Sequence, residues 1–362
     1  MITDIGMGLM LPEQITLNLP EQFPPPVEGR ILLLDSDFPA YQAAATVKNL
    51  DTAVRRFQTL VETQRFLVNA ETVRVHLTES GCQKLRRFDY PTVKPYQANR
   101  DGKAKPPLLG PLRRAIPTLD WESHWSVHPW RDREADDGLM MDACLFGERA
   151  VMVSGDKDLN ITPGPLWIMD EARIDYIPDR FGWIKLKQMT SGNKVVGHGT
   201  KFFWAQMLMG DTADNVQGLT RLNEKLCGAV GAYNALEDIT SESDAAEFVL
   251  RAYVTANQNP LSEAECLWLR RSLQDTAYAY LSELGLPDYL QQWLDSLHQY
   301  HQEVLEFKLR QRQEEQYDED EQTSTPSSPR TEVHGSGNRH DGCDVPWEGG
   351  CDSGCRGCNT PS

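Results

Sequence analysis

The feature that most constrains this chain is a set of four short acidic clusters. Each lies at the end of an apolar run or at the start of a predicted helix, in residues 31–37, 134–137, 150–158 and 207–215. An Asp directly after a buried strand is costly unless something compensates its charge. Gathered carboxylates repel one another, so they take up protons or bind cations. We therefore expect the four clusters to converge on one site. An all-oxygen ligand set of this kind favours Mg²⁺ or Mn²⁺ over Zn²⁺.

Predicted strands and helices alternate through the first two-thirds of the chain. Strands are predicted at 30–35, 73–77, 125–128, 149–153, 166–169 and 174–177, and helices at 39–69, 106–118 and 134–146. This alternation predicts an α/β fold with a mostly parallel sheet and helices on both faces. Ligands of such sheets bind beyond the carboxyl ends of the strands, where Asp35, Asp156 and Asp158 would meet. The acids of 134–137 open a helix, whose dipole favours negative charge.

The remainder of the chain divides into a helical part and a polar tail. Helices are predicted at 201–209, 224–236, 244–257, 261–284 and 288–313. Residues 313–362 are acidic and rich in Ser, Thr, Pro and Gly, and such a composition cannot fill a core, so we expect disorder there. Residues 1–29 are predicted to form an N-terminal extension that leads into the first strand.

Charge is distributed unevenly along the chain. The net charge is −17, but residues 313–362 contain eleven acids and three bases, whereas residues 84–114 contain nine bases and two acids. A basic strip beside a group of carboxylates is typical of an enzyme that binds a polyanion and holds metal next to it. The alternative is that the strip is a solvated loop.

Composition also bears on location. No apolar stretch approaches the roughly 20 residues that cross a bilayer, so no membrane association is expected. The N-terminal residues are acidic, unlike those of a secretory signal. Four scattered cysteines are typical of reduced thiols in a cytoplasmic protein: Cys82, Cys144, Cys227 and Cys266.

Five motifs occur in a characteristic order. They are Asp-x-Asp at 35–37, Tyr-x-Ala-Asn-Arg at 96–100, Glu-x-Asp-Asp at 134–137, Gly-Asp-Lys-Asp at 155–158 and Gly-Asp-x-x-Asp-Asn at 210–215. In this order the chain resembles the 5′-nuclease (flap endonuclease) superfamily over about residues 30–240. It looks most like the 5′–3′ exonucleases of short-tailed bacteriophages and the 5′-nuclease domains of bacterial DNA polymerase I.

The resemblance implies a domain plan and a metal site. Residues 30–199 would form a PIN-like nuclease core with a basic arch at about 84–118, and residues 200–312 a helical DNA-binding part. Two Mg²⁺ or Mn²⁺ ions, about 4 Å apart, would clamp the scissile phosphate. The implied ligands are Asp35, Glu134 and Asp136 for one ion and Asp156, Asp158 and Asp211 for the other, with Asp137 and Asp214 in support.

Two positions depart from the family pattern. Glu79 stands where an Asp is usual, and it is either a ligand reaching a metal through water or a surface residue of a loop. Gln97 replaces a usual lysine, for which Lys94, Lys103 or Lys105 would compensate. Arg100 is the implied phosphate clamp. Tyr96 either stacks on a base or packs in the protein.

The segment 210–225 follows the spacing of the family's helix–hairpin–helix-like element, which holds duplex phosphates on backbone N–H groups, often with K⁺. Gly218 is retained, whereas Arg221 and Asn223 replace usual glycines. Because Arg adopts positive φ poorly, we expect an altered hairpin in which Arg221 contacts phosphate directly, beside Lys225.

The tail contains a second group of cysteines. They either bind structural Zn²⁺ or remain free thiols, and they are Cys343, Cys351, Cys355 and Cys358. The acidity of the tail would allow it to mimic DNA or to recruit a replication protein.

We therefore expect a 5′–3′ exodeoxyribonuclease that acts on duplex DNA with a 5′ end or nick, or on RNA–DNA hybrids, in phage replication. One alternative is a structure-selective 5′-flap endonuclease. Another is a non-catalytic DNA-binding scaffold, against which the large set of mutually repelling carboxylates argues.

Overall fold

A computed structural model describes residues 25–177, 181–190 and 192–324, with side chains up to residue 315. Contacts within the chain divide it after Arg312. The sheet and the helical part therefore share one compact unit, and the last helix continues past that division to Ser324. The four tail cysteines and their zinc hypothesis lie outside the described residues, as does most of the predicted N-terminal extension.

Eight strands in the described part of the chain form two sheets. The strands are β1 (Val27–Asp35), β2 (Ala70–Thr78), β3 (Trp125–Trp130), β4 (Ala150–Val153), β5 (Gly164–Ile168), β6 (Arg173–Ile177), β7 (Trp183–Met189) and β8 (Gly192–His198). The main sheet has the order β3-β2-β1-β4-β5-β6. All its neighbouring pairs are parallel except β5 with β6. β7 and β8 form a separate antiparallel hairpin.

Ten α-helices accompany the strands in the described residues. They are α1 (Asp37–Ala44), α2 (Leu50–Leu67), α3 (Leu109–Ala115), α4 (Ala135–Phe146), α5 (Thr200–Met209), α6 (Ala229–Leu236), α7 (Glu242–Thr255), α8 (Pro260–Leu267), α9 (Ala277–Ser282) and α10 (Asp288–Ser324). None of the helices in this part of the chain combines the length and hydropathy that crossing a bilayer requires.

The main sheet is covered on both faces. Successive side chains of a strand point to opposite faces, and β1 shows this clearly. Leu33 packs in the core shared with α4 and α5, whereas Leu32 and Leu34 pack in the core shared with α1 and α2. β4 alternates in the same way around Met152. The predicted fold class, a mostly parallel sheet flanked by helices, is confirmed.

Several elements differ from the sequence-based expectation. The helix expected over 39–69 is divided into α1 and α2, because the extended Asn49 caps the start of α2. The last helix, expected to end at residue 313, continues to Ser324. The β7–β8 hairpin was not predicted, because lysines interrupt its apolar residues. The helix expected over 224–236 begins only at Ala229, since Asn223 and Glu224 are left-handed and Gly228 precedes the helix. The helix expected over 261–284 is broken into α8 and α9, because Trp268 is extended.

Candidate metal and nucleic-acid site

The site lies where the strand order of the main sheet reverses. β1 and β4 are neighbours at the centre of the sheet and lead outward in opposite directions, and such a point forms a crevice at the carboxyl ends. Asp35 ends β1, and residues 154–156 follow β4. The Ser154 hydroxyl donates to Asp35 Oδ2 at 2.7 Å and accepts from the Asp156 backbone N–H at 2.9 Å. The first and third acidic clusters therefore meet, as predicted.

The other two clusters approach from helix ends. Glu134 precedes α4, and the Ala135 N–H donates to the Thr78 hydroxyl at the end of β2 at 2.9 Å. Asp211 follows α5 and forms a bridge with Val216 that closes the loop carrying Asp214. Helix termini and strand ends thus bring all four clusters to the same edge of the sheet.

One cavity of about 560 Å³ joins the clusters. It is lined by Asp35, Asp37, Phe38, Gln97, Arg100, Glu134, Ala135, Asp136, Gly155, Asp156, Lys157, Lys194, Ala213 and Asp214. Asp158 lies beside it, and carboxylate oxygens of Asp158, Asp211 and Asp214 come within 4.8 Å of one another. A spacing of this kind allows several oxygens to coordinate one cation.

Burial and mutual repulsion hold protons on part of this group. Burial, then the neighbouring charge of Asp37, raises the pKa of Asp35 to about 7. Burial and then Asp156 raise the pKa of Asp158 to about 6. Burial and neighbouring acids also raise the pKa of Asp136 and of Asp156. The carboxylates lack enough countercharge, and a bound cation would relieve that deficit.

Lys157 supplies part of the countercharge. Its ammonium lies 3.0 Å from Asp158 Oδ1 and 2.6 Å from Asp211 Oδ2. Burial alone would lower the pKa of Lys157, but Asp158 and Asp211 outweigh that effect and raise it. A permanent positive charge therefore stands between two of the predicted metal ligands.

Glu134 and Asp137 have strong cationic partners. Lys84 Nζ lies 2.7 Å and Arg87 Nη1 3.2 Å from the Glu134 carboxylate. Burial would raise the pKa of Glu134, but Lys84 and Arg87 outweigh it and hold the pKa at about 2. Arg87 also donates to both oxygens of Asp137, at 2.6 and 2.7 Å, and neither side chain is more than 2% exposed. Asp137 does not line the cavity and is bound into an ion pair.

The segment 96–100 of the basic strip contacts the acidic loop directly. Gln97 Nε2 donates to Asp214 Oδ1 at 2.8 Å, and the Arg100 guanidinium binds the same carboxylate. Tyr96 is 4% exposed and donates its hydroxyl to Glu134 Oε2 at 2.8 Å. Of the two alternatives for Tyr96, the packed one is found.

Several predicted residues lie away from the cavity. Glu79 pairs with the exposed Arg131 and does not line it. The predicted substitutes for the missing lysine, Lys94, Lys103 and Lys105, do not line it either. Instead the ammonium of Lys84 contacts both Gln97 and Glu134.

Sequence reasoning missed the roles of Lys84, Arg87 and Lys194. Lys84, Leu85 and Arg86 are all left-handed, a run of non-glycine residues that no motif predicts. This turn precedes Arg87 and places Lys84 beside Glu134. The only sequence signal for Lys194 is that residues 181–210 contain lysines but no acid.

The segment 210–225 forms a tight loop. Gly218 has φ of +65°, and a Cβ there would lie 2.3 Å from the Gly210 nitrogen. The left-handed non-glycine residues of this segment are Asn215, Asn223 and Glu224, so Arg221 avoids the strain predicted for it. Arg221 donates to the Glu224 carbonyl at 2.7 Å, and Lys225 pairs with Leu222 across the turn.

Comparison with solved structures finds bacteriophage T5 proteins. A T5 protein co-crystallised with metal ions has a TM-score of 0.43 at 14% identity, covering 76% of this chain and 98% of its own. A mutant of the T5 5′-exonuclease has a TM-score of 0.40 at 13% identity, covering 75% and 99%. The T5 flap endonuclease in a pseudo-enzyme–product complex with DNA and metal ions has a TM-score of 0.39 at 14% identity, covering 70% and 98%.

No protein-family model matches the chain. No curated protein sequence matches it either.

Proposed function

We propose that this chain is a divalent-metal-dependent nuclease that hydrolyses phosphodiester bonds of DNA from a 5′ end. The observation that carries the proposal is the cavity itself, which joins carboxylates of all four acidic clusters to the Arg100 guanidinium. Carboxylates alone would repel a phosphate. A mixed site of acids and a cationic clamp is suited to a metal-bound polyanion.

The residues fit Mg²⁺ or Mn²⁺. Hard cations prefer oxygen ligands, and the half-buried Asp35 and the buried Asp158 have raised pKa values and no full countercharge. The proposed ligand groups are Asp35, Glu134 and Asp136 on one side and Asp156, Asp158, Asp211 and Asp214 on the other. Asp137 is omitted because Arg87 occupies both its oxygens. Glu79 is omitted because it pairs with Arg131.

Bound metal would acidify the attacking water and offset charge on the phosphate. The chain's own cations act around that chemistry. Arg100 is 48% exposed at its side chain, so it can leave Asp214 for a phosphate oxygen. Lys84 keeps Glu134 ionised. Lys157 screens Asp158 from Asp211 until substrate and ions arrive.

The proposal also covers the direction of cleavage along the strand and the kind of nucleic acid that is cleaved. The motif order supports 5′–3′ exonuclease action on duplex ends and nicks, including RNA–DNA hybrids during phage replication. The site would equally suit cleavage at a 5′ flap, because the arch segment 96–100 borders the cavity. A non-catalytic DNA-binding scaffold would leave the convergence of the buried carboxylates without a purpose.

A digest of 5′-labelled and 3′-labelled duplexes, with Mg²⁺ and with EDTA, tests the proposal. We expect mononucleotides released from the 5′ label with Mg²⁺ and no product with EDTA. A labelled 5′ flap that yields a flap-length product would identify the endonuclease instead. Absence of cleavage with either Mg²⁺ or Mn²⁺ would leave only the scaffold.

A further inference from the structure

The β7–β8 hairpin presents one basic face. Side chains alternate along each strand, and Ile184 and Val195 are buried on the inner side. Trp183, Lys185 and Lys187 are exposed on β7, and Lys194 is exposed on β8. In the antiparallel register Lys187 lies directly opposite Lys194. We call these four residues the basic ribbon.

The basic ribbon is positively charged within a strongly acidic chain. Residues 181–210 contain no Asp or Glu. No ion pair between described residues involves Lys185, Lys187 or Lys194, although the net charge of the chain is −17. Like charges directly opposite on neighbouring strands are destabilising. The pairing of Lys187 with Lys194 therefore costs stability, and no ion pair among the described residues offsets it.

The ribbon is continuous with the candidate active site. Lys194 lines the same cavity as Asp35, Asp136 and Asp156. Trp183, at the other end of the face, is 40% exposed, and the Lys185 ammonium lies 4.8 Å from its ring centroid. Lysines spaced along a ribbon, with an exposed aromatic ring, are the combination that binds a nucleic-acid strand by phosphate contact and stacking.

We infer that the basic ribbon binds the sugar–phosphate backbone of the nucleic acid as it leaves the catalytic cavity. Lys194 takes the phosphate nearest the cavity, Lys187 and Lys185 take the following ones, and Trp183 contacts a sugar or base. This inference rests on the proposed nuclease function for its substrate. The competing explanation is that the lysines protect the edges of a two-stranded sheet against association.

The test uses the full chain and the double variant Lys185→Gln/Lys187→Gln, which leaves the cavity residue Lys194 in place. Binding to a duplex with a single-stranded 5′ extension is measured with Ca²⁺ across a series of salt concentrations. The plot of log K against log salt has a negative slope. Loss of two phosphate contacts should reduce the magnitude of that slope by about 2. KM for cleavage should rise with little change in kcat, and Lys185→Arg/Lys187→Arg should retain most of the affinity.

The matched control is Lys48→Gln/Arg55→Gln. It removes the same charge from two exposed positions around the start of α2, outside the residues that line the catalytic cavity. Its salt slope and KM should stay close to the parent values. Equal effects in both double variants would show that only the net charge of the protein matters, which would overturn the inference.

Failure of the ribbon and failure of the proposed function give different results. If the parent cleaves DNA and the ribbon variant has the same KM and salt slope, the ribbon inference is overturned and the nuclease proposal stands. Suppose that neither the parent nor the ribbon variant cleaves DNA, but that the ribbon variant binds DNA more weakly than the parent and the control variant do. The ribbon inference then stands and the catalytic proposal fails. Aggregation of the variant with unchanged binding by its monomer would support edge protection instead.

Discussion

Asp211 bears the most direct prediction at the scale of single residues. Its carboxylate is 3% exposed, lies 2.6 Å from Lys157 Nζ and belongs to the triplet with Asp158 and Asp214. Asp211→Asn removes a negative charge from the proposed ligand group but keeps the shape of the side chain. We expect cleavage to fall at least 100-fold, the order found when a charge-stabilising group is lost. Binding of DNA should persist.

The control for this experiment is Asp170→Asn, which changes an exposed carboxylate outside the cavity. Single-turnover cleavage and DNA binding are measured for both variants. Turnover near the parent rate in Asp211→Asn would refute the ligand assignment.

The prediction for Asp137 concerns stability, because its carboxylate forms a buried ion pair with Arg87. Removing one member of a buried ion pair leaves an uncompensated charge, which typically costs about 3–5 kcal/mol. Asp137→Asn should therefore lower the free energy of unfolding by about that amount, as measured by urea denaturation. Glu171→Gln breaks an exposed pair with Arg173 and should leave the free energy of unfolding nearly unchanged. An Asp137→Asn protein with normal stability but no activity would instead indicate a metal ligand.

At the scale of elements, the loop 210–218 depends on one backbone conformation. Gly218 is left-handed, and its Cβ position lies within 3 Å of both the nitrogen and the Cα of Gly210, next to Asp211. Gly218→Ala should therefore destabilise the protein by about 2 kcal/mol or more and displace Asp211. Thermal unfolding and cleavage assays would both report the change.

Gly231→Ala is the matched control for this loop. Gly231 lies within α6, and an added Cβ there meets only Cys227 Sγ at 3.5 Å. Because alanine favours helix over glycine, the control should be neutral or stabilising by up to about 1 kcal/mol. Equal destabilisation by both substitutions would contradict the argument from the left-handed turn.

The elements also show what the sequence could predict. The apolar runs at 31–34 in β1 and 150–153 in β4 are each followed closely by Ser and Asp, so their strand character and their meeting at one edge follow from local pattern. The positions of Lys84 and Arg87 do not follow, because the left-handed run 84–86 is held in part by contacts with residues distant in the sequence, such as the Leu85 N–H donating to the Asp132 carbonyl at 2.6 Å. Arg87, for example, donates to the Trp268 carbonyl from the distant helical part, at 3.1 Å. Likewise β7 and β8 were missed because lysines interrupt their apolar residues on the exposed face.

At the scale of the whole molecule, the acidic site links stability to pH. The folded pKa values of Asp35 and Asp158, about 7 and about 6, lie above the ordinary value of about 3.9 for an unfolded Asp. Between about pH 4 and 7 the folded chain therefore binds more protons than the unfolded chain. By linkage, the contribution of these groups to stability is present at low pH and is lost as pH rises through that window.

Divalent metal should reverse this loss, because a cation takes the place of the protons. We expect Mg²⁺ to raise the midpoint of thermal unfolding more at pH 8 than at pH 5, relative to EDTA at each pH. Glu134 titrates at about pH 2 and lies outside the window, so it does not oppose the trend. In Asp35→Asn the difference between the Mg²⁺ shifts at pH 8 and pH 5 should shrink, since one of the groups with a raised pKa is removed. An equal Mg²⁺ shift at both pH values in the parent protein would show that the buried carboxylates do not form the metal site.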